Sequence, residues 1–378
     1  MKAFIHQTLH LCRCLAACMV LFAAPAAAVD YSLTGFGTVQ YTVGDNEANY
    51  LRFADNEGTL KVNSVLGAQL DVQLTQTLGA TVQYVVAPKQ DNDRGTEIDT
   101  RWAFVKWRPN DNLTFKLGRQ RINLYLDAEN LDVGQTYVQA NLNPEVYFNA
   151  GVLNLDGFSA TYNFEDQAGR YWGLQAITGN RDIIQRPPNF SGDFPTNRFE
   201  FNGLVLSVDG VDYRLQLAYH EADVYREITR FNGAPVINGS FTAQAAFTNL
   251  GAEYRWEDYT LRAEYALVDL YFSNQGIIGG SFRQAGQSKY PEQAGNLVLI
   301  RALNERLAVY GSWGRFVSDF DDQYSLAIGG RYLITPSQSV KAELMHVVEK
   351  NTRPQLSDNA IPNTTFNLLS VNYNWVWQ

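Results

Sequence analysis

Five of the basic side chains between positions 101 and 121 are Arg101, Lys106, Lys116, Arg119 and Arg121, and four acids, Asp127, Glu129, Asp132 and Glu145, follow them. Tyr125, Tyr137 and Tyr147 are interleaved with the acids. Neither set has the spacing of a catalyst: there is no Gly-rich phosphate loop, no metal-ligand spacing and no Ser-His-Asp order. No cofactor is implied. Opposed acids and bases can instead set a field across a water-filled gap, which aligns dipolar solutes and sorts ions by sign. The plainer alternative is that the charges pair with one another and hold a wall together. The tyrosines have two readings as well, a slide for sugars or pins that fix the stretch to its surroundings.

What must position these residues is the segment that carries most of them. Residues 118–147 follow a short alternating run at 113–117 and have no period-two pattern of their own. A compact domain rarely holds an unpatterned insert of about thirty residues unless it is functional. The expectation is that residues 119–149, approximately, fold into a barrel and narrow it.

The N-terminus predicts export. Lys2 and Arg13 precede an apolar run at 15–24, and Ala26-Ala27-Ala28 offers an Ala-x-Ala cleavage site after Ala28, so residues 1–28 read as a signal peptide and 29–378 as the mature chain. A lipobox, Leu15-Ala16-Ala17-Cys18, is the competing reading. Cleavage after Ala28 removes Cys12, Cys14 and Cys18, which are all 3 cysteines, so disulfides play no part in the mature fold. Of 30 basic residues it removes two, and of 39 acids none, so the net charge falls from −9 to −11. Such acidity argues against nucleic acid as a partner.

No apolar run after residue 28 approaches the ~20 residues of a membrane helix. The chain is nevertheless rich in Phe (21), Tyr (21), Trp (7) and Gly (29) while polar on average. A transmembrane antiparallel β-barrel has this composition, because only alternate residues meet lipid. A secreted sandwich or propeller shares part of it.

Alternation separates the two. About sixteen runs of the barrel-strand length alternate, near 31–42, 59–74, 78–87, 98–108, 111–118, 151–164, 170–179, 198–208, 211–220, 244–256, 258–271, 293–303, 306–317, 323–334, 338–348 and 364–377. Their connections switch between short turns, such as Asp209-Gly210 and Pro109-Asn110, and long polar segments. Within single runs the faces differ: Tyr213, Leu215, Leu217 and Tyr219 oppose Arg214, Gln216, Ala218 and His220. A charge on the lipid face near the midplane costs ~2–4 kcal/mol, so Arg262, Glu264, Lys341 and Glu343 must look inward. The fold expected is an all-β transmembrane barrel of about 16 strands with a long loop after strand 5.

At the insert, GRQRINLYLDAENLDVG (118–134) with PEVY (144–147) resembles the segment after the fifth strand in a family of proteobacterial outer-membrane porins, distantly related to phosphate-selective porins. The last strand, with Val371, Tyr373, Trp375 and Trp377 on one face and Gln378 behind them, resembles the C-terminal signature read by the bacterial outer-membrane assembly machinery. The family resemblance implies a sixteen-stranded barrel, often a homotrimer, in which the segment is a constriction loop and small hydrophilic solutes or ions pass by diffusion. Outer-membrane lipid and lipopolysaccharide are then the surroundings. The pore-constriction residues expected are Arg101, Lys106, Lys116, Arg119, Arg121, Tyr125, Asp127, Glu129, Asp132 and Glu145.

Three other readings have a sequence basis. A plugged structural or adhesin barrel would use the long outer segments to bind a partner. A lipase would use His346, which continues the lipid-facing row of Val340, Ala342 and Leu344, as a base. A Ca²⁺ site at Asp319, Asp321 and Asp322 has too few oxygens for the six to eight that Ca²⁺ takes.

Overall fold

The computed structural model describes residues 30–45, 47, 50–51, 53–88, 95–147, 153–184, 196–231, 234–278, 281–319, 321–351 and 364–378. The signal-peptide and lipobox readings lie outside them. Sixteen strands close into one antiparallel barrel in which each strand pairs with its sequence neighbours and β1 pairs with β16. The strands are β1 (Asp30–Gly44), β2 (Val65–Gln73), β3 (Leu78–Pro88), β4 (Thr96–Trp107), β5 (Leu113–Arg121), β6 (Asn154–Glu165), β7 (Tyr171–Ile184), β8 (Thr196–Asp209), β9 (Tyr213–Phe231), β10 (Ala234–Trp256), β11 (Tyr259–Ile278), β12 (Ser281–Ala302), β13 (Leu307–Val317), β14 (Asp321–Thr335), β15 (Gln338–Asn351) and β16 (Thr364–Trp377). Closure leaves no free sheet edge around the ring, which is what lets strands cross an apolar medium.

Period-two patterning becomes two environments. Leu204, Leu206, Leu215, Leu217, Leu250, Tyr265, Leu344 and Leu369 stand exposed on the outer wall. Gln40, Asn249, Glu264, Lys341, Glu343, Asn372 and Asn374 are buried on the inner one. The apolar exterior has no soluble explanation on this scale. Trp377 lies over Gly35 and Trp375 over Gly37 of β1, where an added Cβ would come within 2.2 and 2.1 Å of the respective indole, so the closing seam is sealed by aromatic rings on glycine.

Four strands run longer than the alternation indicates. Residues 221–243 and 273–292 read as loops, yet β9, β10, β11 and β12 continue through most of them. Apolar alternation fails there because the outer face turns polar: β9 carries Leu215, Leu217 and Tyr219, then Glu221 and Asp223. Backbone pairing continues where the apolar outer row stops.

The insert leaves the wall at the end of β5 and packs against the inner face. It has little regular structure, one 3-10 turn (Gly134–Thr136) and one short helix, α1 (Pro144–Tyr147). Its core is shared with the wall: Ile122, Leu124, Tyr125, Ala128, Leu142, Val146 and Tyr147 cluster with Leu155, Ile177, Phe201, Phe247, Ala266 and Ala294. The β1–β2 connection also folds inward, with Tyr50, Leu51, Ala54 and Val62 against Met345, Val347, Phe366 and Leu368 of β15 and β16.

Candidate functional site

A bulge decides which basic residues reach the lumen. Pairing of β3 with β4 slips between Gln83, opposite Trp102, and Tyr84, opposite Thr100, so Arg101 is the extra residue. Ile98, Val105 and Trp107 are exposed on the outer wall, and unbroken alternation would send Arg101 out with Val105. Bulges re-aim side chains, and here Arg101 turns inward.

There Arg101 joins an ion-pair chain. Its Nε lies 3.3 Å from Asp132, its guanidinium also pairs with Asp99, and Asp99 reaches Arg181 of β7 at 3.5 Å. Arg121 donates to Asp132 as well. Burial alone would raise the Asp132 carboxyl, but the charges of Arg121 and Arg101 outweigh it and hold the group below its ordinary value. The insert is thereby tied to the wall it springs from.

Arg119 is a correction to the expected ring. It shares the outward row of Phe115 and Leu117, and its bidentate partner at 2.7 Å is Asp156, on the row of exposed Phe158 and Tyr162. Register in the β5–β6 ladder is unbroken from Leu117 to Arg119, which keeps Arg119 on that row, whereas Arg121, the last residue of the strand, turns in with the insert to Asp132. Arg119 does not face the lumen.

Lys106 and Lys116 do. They are directly opposed across β4 and β5, on the inward row with buried Phe104, whose ring lies 5.0 Å from the Lys116 ammonium. No ion pair among the described residues reaches either lysine. Like charges directly opposite destabilise a strand pair, a cost that the Phe104 ring under Lys116 and the more distant charge of Asp71 on β2 offset only in part.

The acids expected to stand together on the insert go to different walls. Asp132 goes to β4 and β5. Asp127 accepts from Arg262 of β11 at 2.7 Å, and Arg262 also lies 3.1 Å from Glu253. Glu145 sits at 2 % exposure, accepting from Gln323 of β14 at 3.0 Å, and burial raises its carboxyl. Of the four, Glu129 alone is exposed, with Asn123 donating to it at 3.3 Å. The picture of one acidic side facing one basic side is replaced by local neutralisation.

The tyrosines serve as pins. Tyr125 is 1 % exposed, its ring 4.9 Å from Tyr147 and 5.5 Å from Phe247. Tyr147 donates to Glu264, which also accepts the Leu126 N–H at 3.0 Å. The Tyr137 ring lies 4.1 Å under the Lys341 ammonium. None of the three presents an open face for a sugar.

The strongest ties come from residues outside the expected set. Lys341 donates to the carbonyls of Gly134 and Gln139 at 2.6 and 2.8 Å. Glu343 accepts from Asn141 and from Tyr310, both at 2.6 Å, and the Tyr310 hydroxyl accepts the Ala140 N–H at 3.0 Å. Gln40 and Asn63 donate to Asn141 at 2.8 and 2.9 Å. Two wall glycines admit the insert: a Cβ on Gly251 would meet Leu126 at 2.6 Å, and one on Gly314 would meet Asn143 at 2.0 Å. Inward parity flagged Lys341 and Glu343 in the sequence, but nothing there indicated which segment they hold.

The remaining candidates assemble no reactive centre. His346 bonds Asn367 at 2.9 Å, and Asn367 donates to Asp45. Its outward neighbours by register, Leu326, Leu344, Val348, Thr365 and Leu369, include no serine. Among the described residues no group of acids, His or Cys could hold a metal ion, and Asp322 pairs instead with Arg315 at 3.1 Å.

No protein-family model and no curated protein matches the chain. Solved structures do. OmpT, an outer membrane protein of Vibrio cholerae, has a TM-score of 0.57 at 12% identity, covering 94% of this chain and 99% of its own. An anion-selective porin from Comamonas acidovorans gives 0.57 and 12% over 92% and 100%. The outer membrane channel DcaP of Acinetobacter baumannii gives 0.57 and 11% over 93% and 99%. At such identities the likeness concerns architecture, and the architecture shared is a closed sixteen-stranded antiparallel β-barrel spanning nearly the whole of each chain.

Proposed function

We propose that this protein is a porin of the bacterial outer membrane, through which small hydrophilic solutes or ions diffuse passively past the insert, anions being favoured. The outer-membrane placement is supported by the apolar exterior of the barrel and by the signal peptide read at 1–28, whose removal predicts a mature protein beginning at Val29. The barrel acts as a non-enzymatic channel. Its loop end faces outward and its turn end inward.

One observation carries the selectivity. Arg101 and Arg121 pair with Asp132, and Arg262 pairs with Asp127, whereas Lys106 and Lys116 stand side by side on the lumen wall with no acid in ion-pair contact among the described residues, Asp71 of β2 acting on Lys106 only from a distance. An unneutralised pair on the wall raises the local concentration of anions and lowers their entry barrier. The anion-selective porin among the solved structures is consistent with this sign.

Planar-bilayer recordings under a salt gradient test the reading. The mature protein is expected to give stepwise openings with an anion-favouring reversal potential, and Lys106→Glu with Lys116→Glu is expected to reverse its sign. Equal reversal potentials in wild type and double variant would exclude the lysines as selectivity elements. A plugged barrel is the second reading, because the insert bonds to inward groups of β1, β4, β11, β13, β14, β15 and β16. Silent bilayers from folded protein would favour it.

A further inference from the structure

We infer that the loop-end extension of β8–β11 carries a binding groove on the outside of the barrel that takes the sugars of a membrane-anchored glycolipid. The inference rests on the outer-membrane placement proposed above. The groove encloses about 390 Å³ and is lined by Arg198, Glu200, Asp223, Tyr225, Gln244 and Tyr271, with smaller residues between them. It belongs to the outer face: Asp223 and Tyr225 continue the row of Leu215, Leu217 and Tyr219, and Tyr271 continues that of Tyr265 and Leu267. It is thus separate from the lumen and its insert.

Its height identifies the occupant's anchor. The outward row of β9 is apolar up to Tyr219, and Asp223 lies four positions on, about 13 Å along the strand. On β8 the same change runs from Leu204 to Glu200 and Arg198. The groove therefore begins where acyl chains end and headgroups start. A ligand held in the leaflet beside Leu204 and Leu217 is presented to it at high effective concentration.

Its chemistry identifies the headgroup. Two carboxylates face one guanidinium, and Arg198 already lies 3.2 Å from Glu200. That balance disfavours a bare phosphate. Planar carboxylate, amide and guanidinium groups instead offer paired acceptors and donors that match adjacent hydroxyls. Asp223 is oriented by Gln244, which donates to it at 2.9 Å. Tyr225, 52 % exposed, and Tyr271 supply ring faces for the apolar side of a sugar. Pockets of this volume lie within the range that holds small ligands.

The probes are an outer-leaflet glycolipid with its complete core oligosaccharide and the same glycolipid stripped to its lipid part. Binding to folded, detergent-solubilised protein is read by native mass spectrometry. Wild type is expected to retain the complete glycolipid about tenfold more tightly than the stripped one, as two or three hydrogen bonds and one stacked ring allow. Tyr225→Ala with Gln244→Ala should abolish that ratio while the barrel stays heat-modifiable on gels. Tyr225→Phe with Gln244 intact should preserve it, which separates a ring contact from a folding defect. Equal retention of the two glycolipids, or a ratio unchanged in the double variant, overturns the inference, as does competition by inorganic phosphate without competition by free core oligosaccharide. Bilayer conductance is measured in parallel: silence with a preserved ratio defeats the porin reading alone, and conductance without a ratio defeats the groove alone.

Discussion

Asp132 shows how one carboxylate can be more consequential than its neighbours. It is the acid between Arg101 and Arg121, whose side chain is 3 % exposed. Asp132→Asn would leave Arg121 without its charge partner and Arg101 with Asp99 alone, at a cost of about 3 kcal/mol, seen as a lower unfolding temperature, and would shift the reversal potential further toward anions. The pH sign follows from its lowered value. A carboxylate depressed in the folded state stabilises above its unfolded pKa of about 3.9 and loses that contribution as pH falls through the folded value. The insert is thus expected to stay tied at neutral pH and to loosen only in acid below about pH 4, which conductance noise against pH would reveal. Glu145 has the opposite sign: its raised value makes it favour the fold at low pH and weaken it as pH rises.

The insert is an element without secondary structure, so its shape is set by what it is bonded to. Lys341 satisfies two of its carbonyls and stacks on Tyr137. Lys341→Met keeps the volume but strands both carbonyls, each costing about 1–3 kcal/mol. It should raise single-channel conductance and open the segment at 134–139 to proteolysis while the barrel persists. Unchanged conductance and protease resistance would show that the apolar cluster around Tyr125 holds the insert without help. Strand β5 makes a different demand. Gly118 has a φ of +127°, and a Cβ there would come within 2.3 Å of the Ala103 carbonyl. Gly118→Ala therefore combines backbone strain of about 1–3 kcal/mol with a clash and should sharply reduce folded protein. Gly95→Ala, also at positive φ but with no atom within 4 Å of the new Cβ, should cost only the backbone strain of about 1–3 kcal/mol, without the clash.

At the scale of the whole molecule, the wall is low between β4 and β7. Pairing of β4 with β5 stops at Ala103 opposite Arg119, although β4 runs back to Thr96. Pairing of β6 with β7 stops at Asp156 opposite Asn180, although β7 runs on to Ile184. The gap between them is bridged by Asp99 and Arg181, and Ile98 beside it is 74 % exposed. Unpaired backbone of this kind calls for cover, which a homotrimer packed on this side would supply. Sedimentation of the folded protein is expected to give a trimer, and Ile98→Arg to shift it toward monomer. A wild-type monomer would rule this out.

Sequence alone determined the barrel, because an apolar outer face and a polar inner face enforce period two along the strands of the ring. Sixteen runs, the inward facing of Arg262, Glu264, Lys341 and Glu343, and the position of the insert all follow from that one constraint. Where the constraint lapses, so did legibility. The polar extensions of β9–β12 read as loops, since a sheet wetted on both faces has no alternation to detect. A bulge at Arg101 reversed the parity of one basic residue, while intact parity sent Arg119 outward. Only tertiary structure decided which acid met which base, because ion pairs between an unpatterned insert and a distant wall depend on closure of the ring, and closure brings together residues more than a hundred positions apart, as with Asp127 and Arg262.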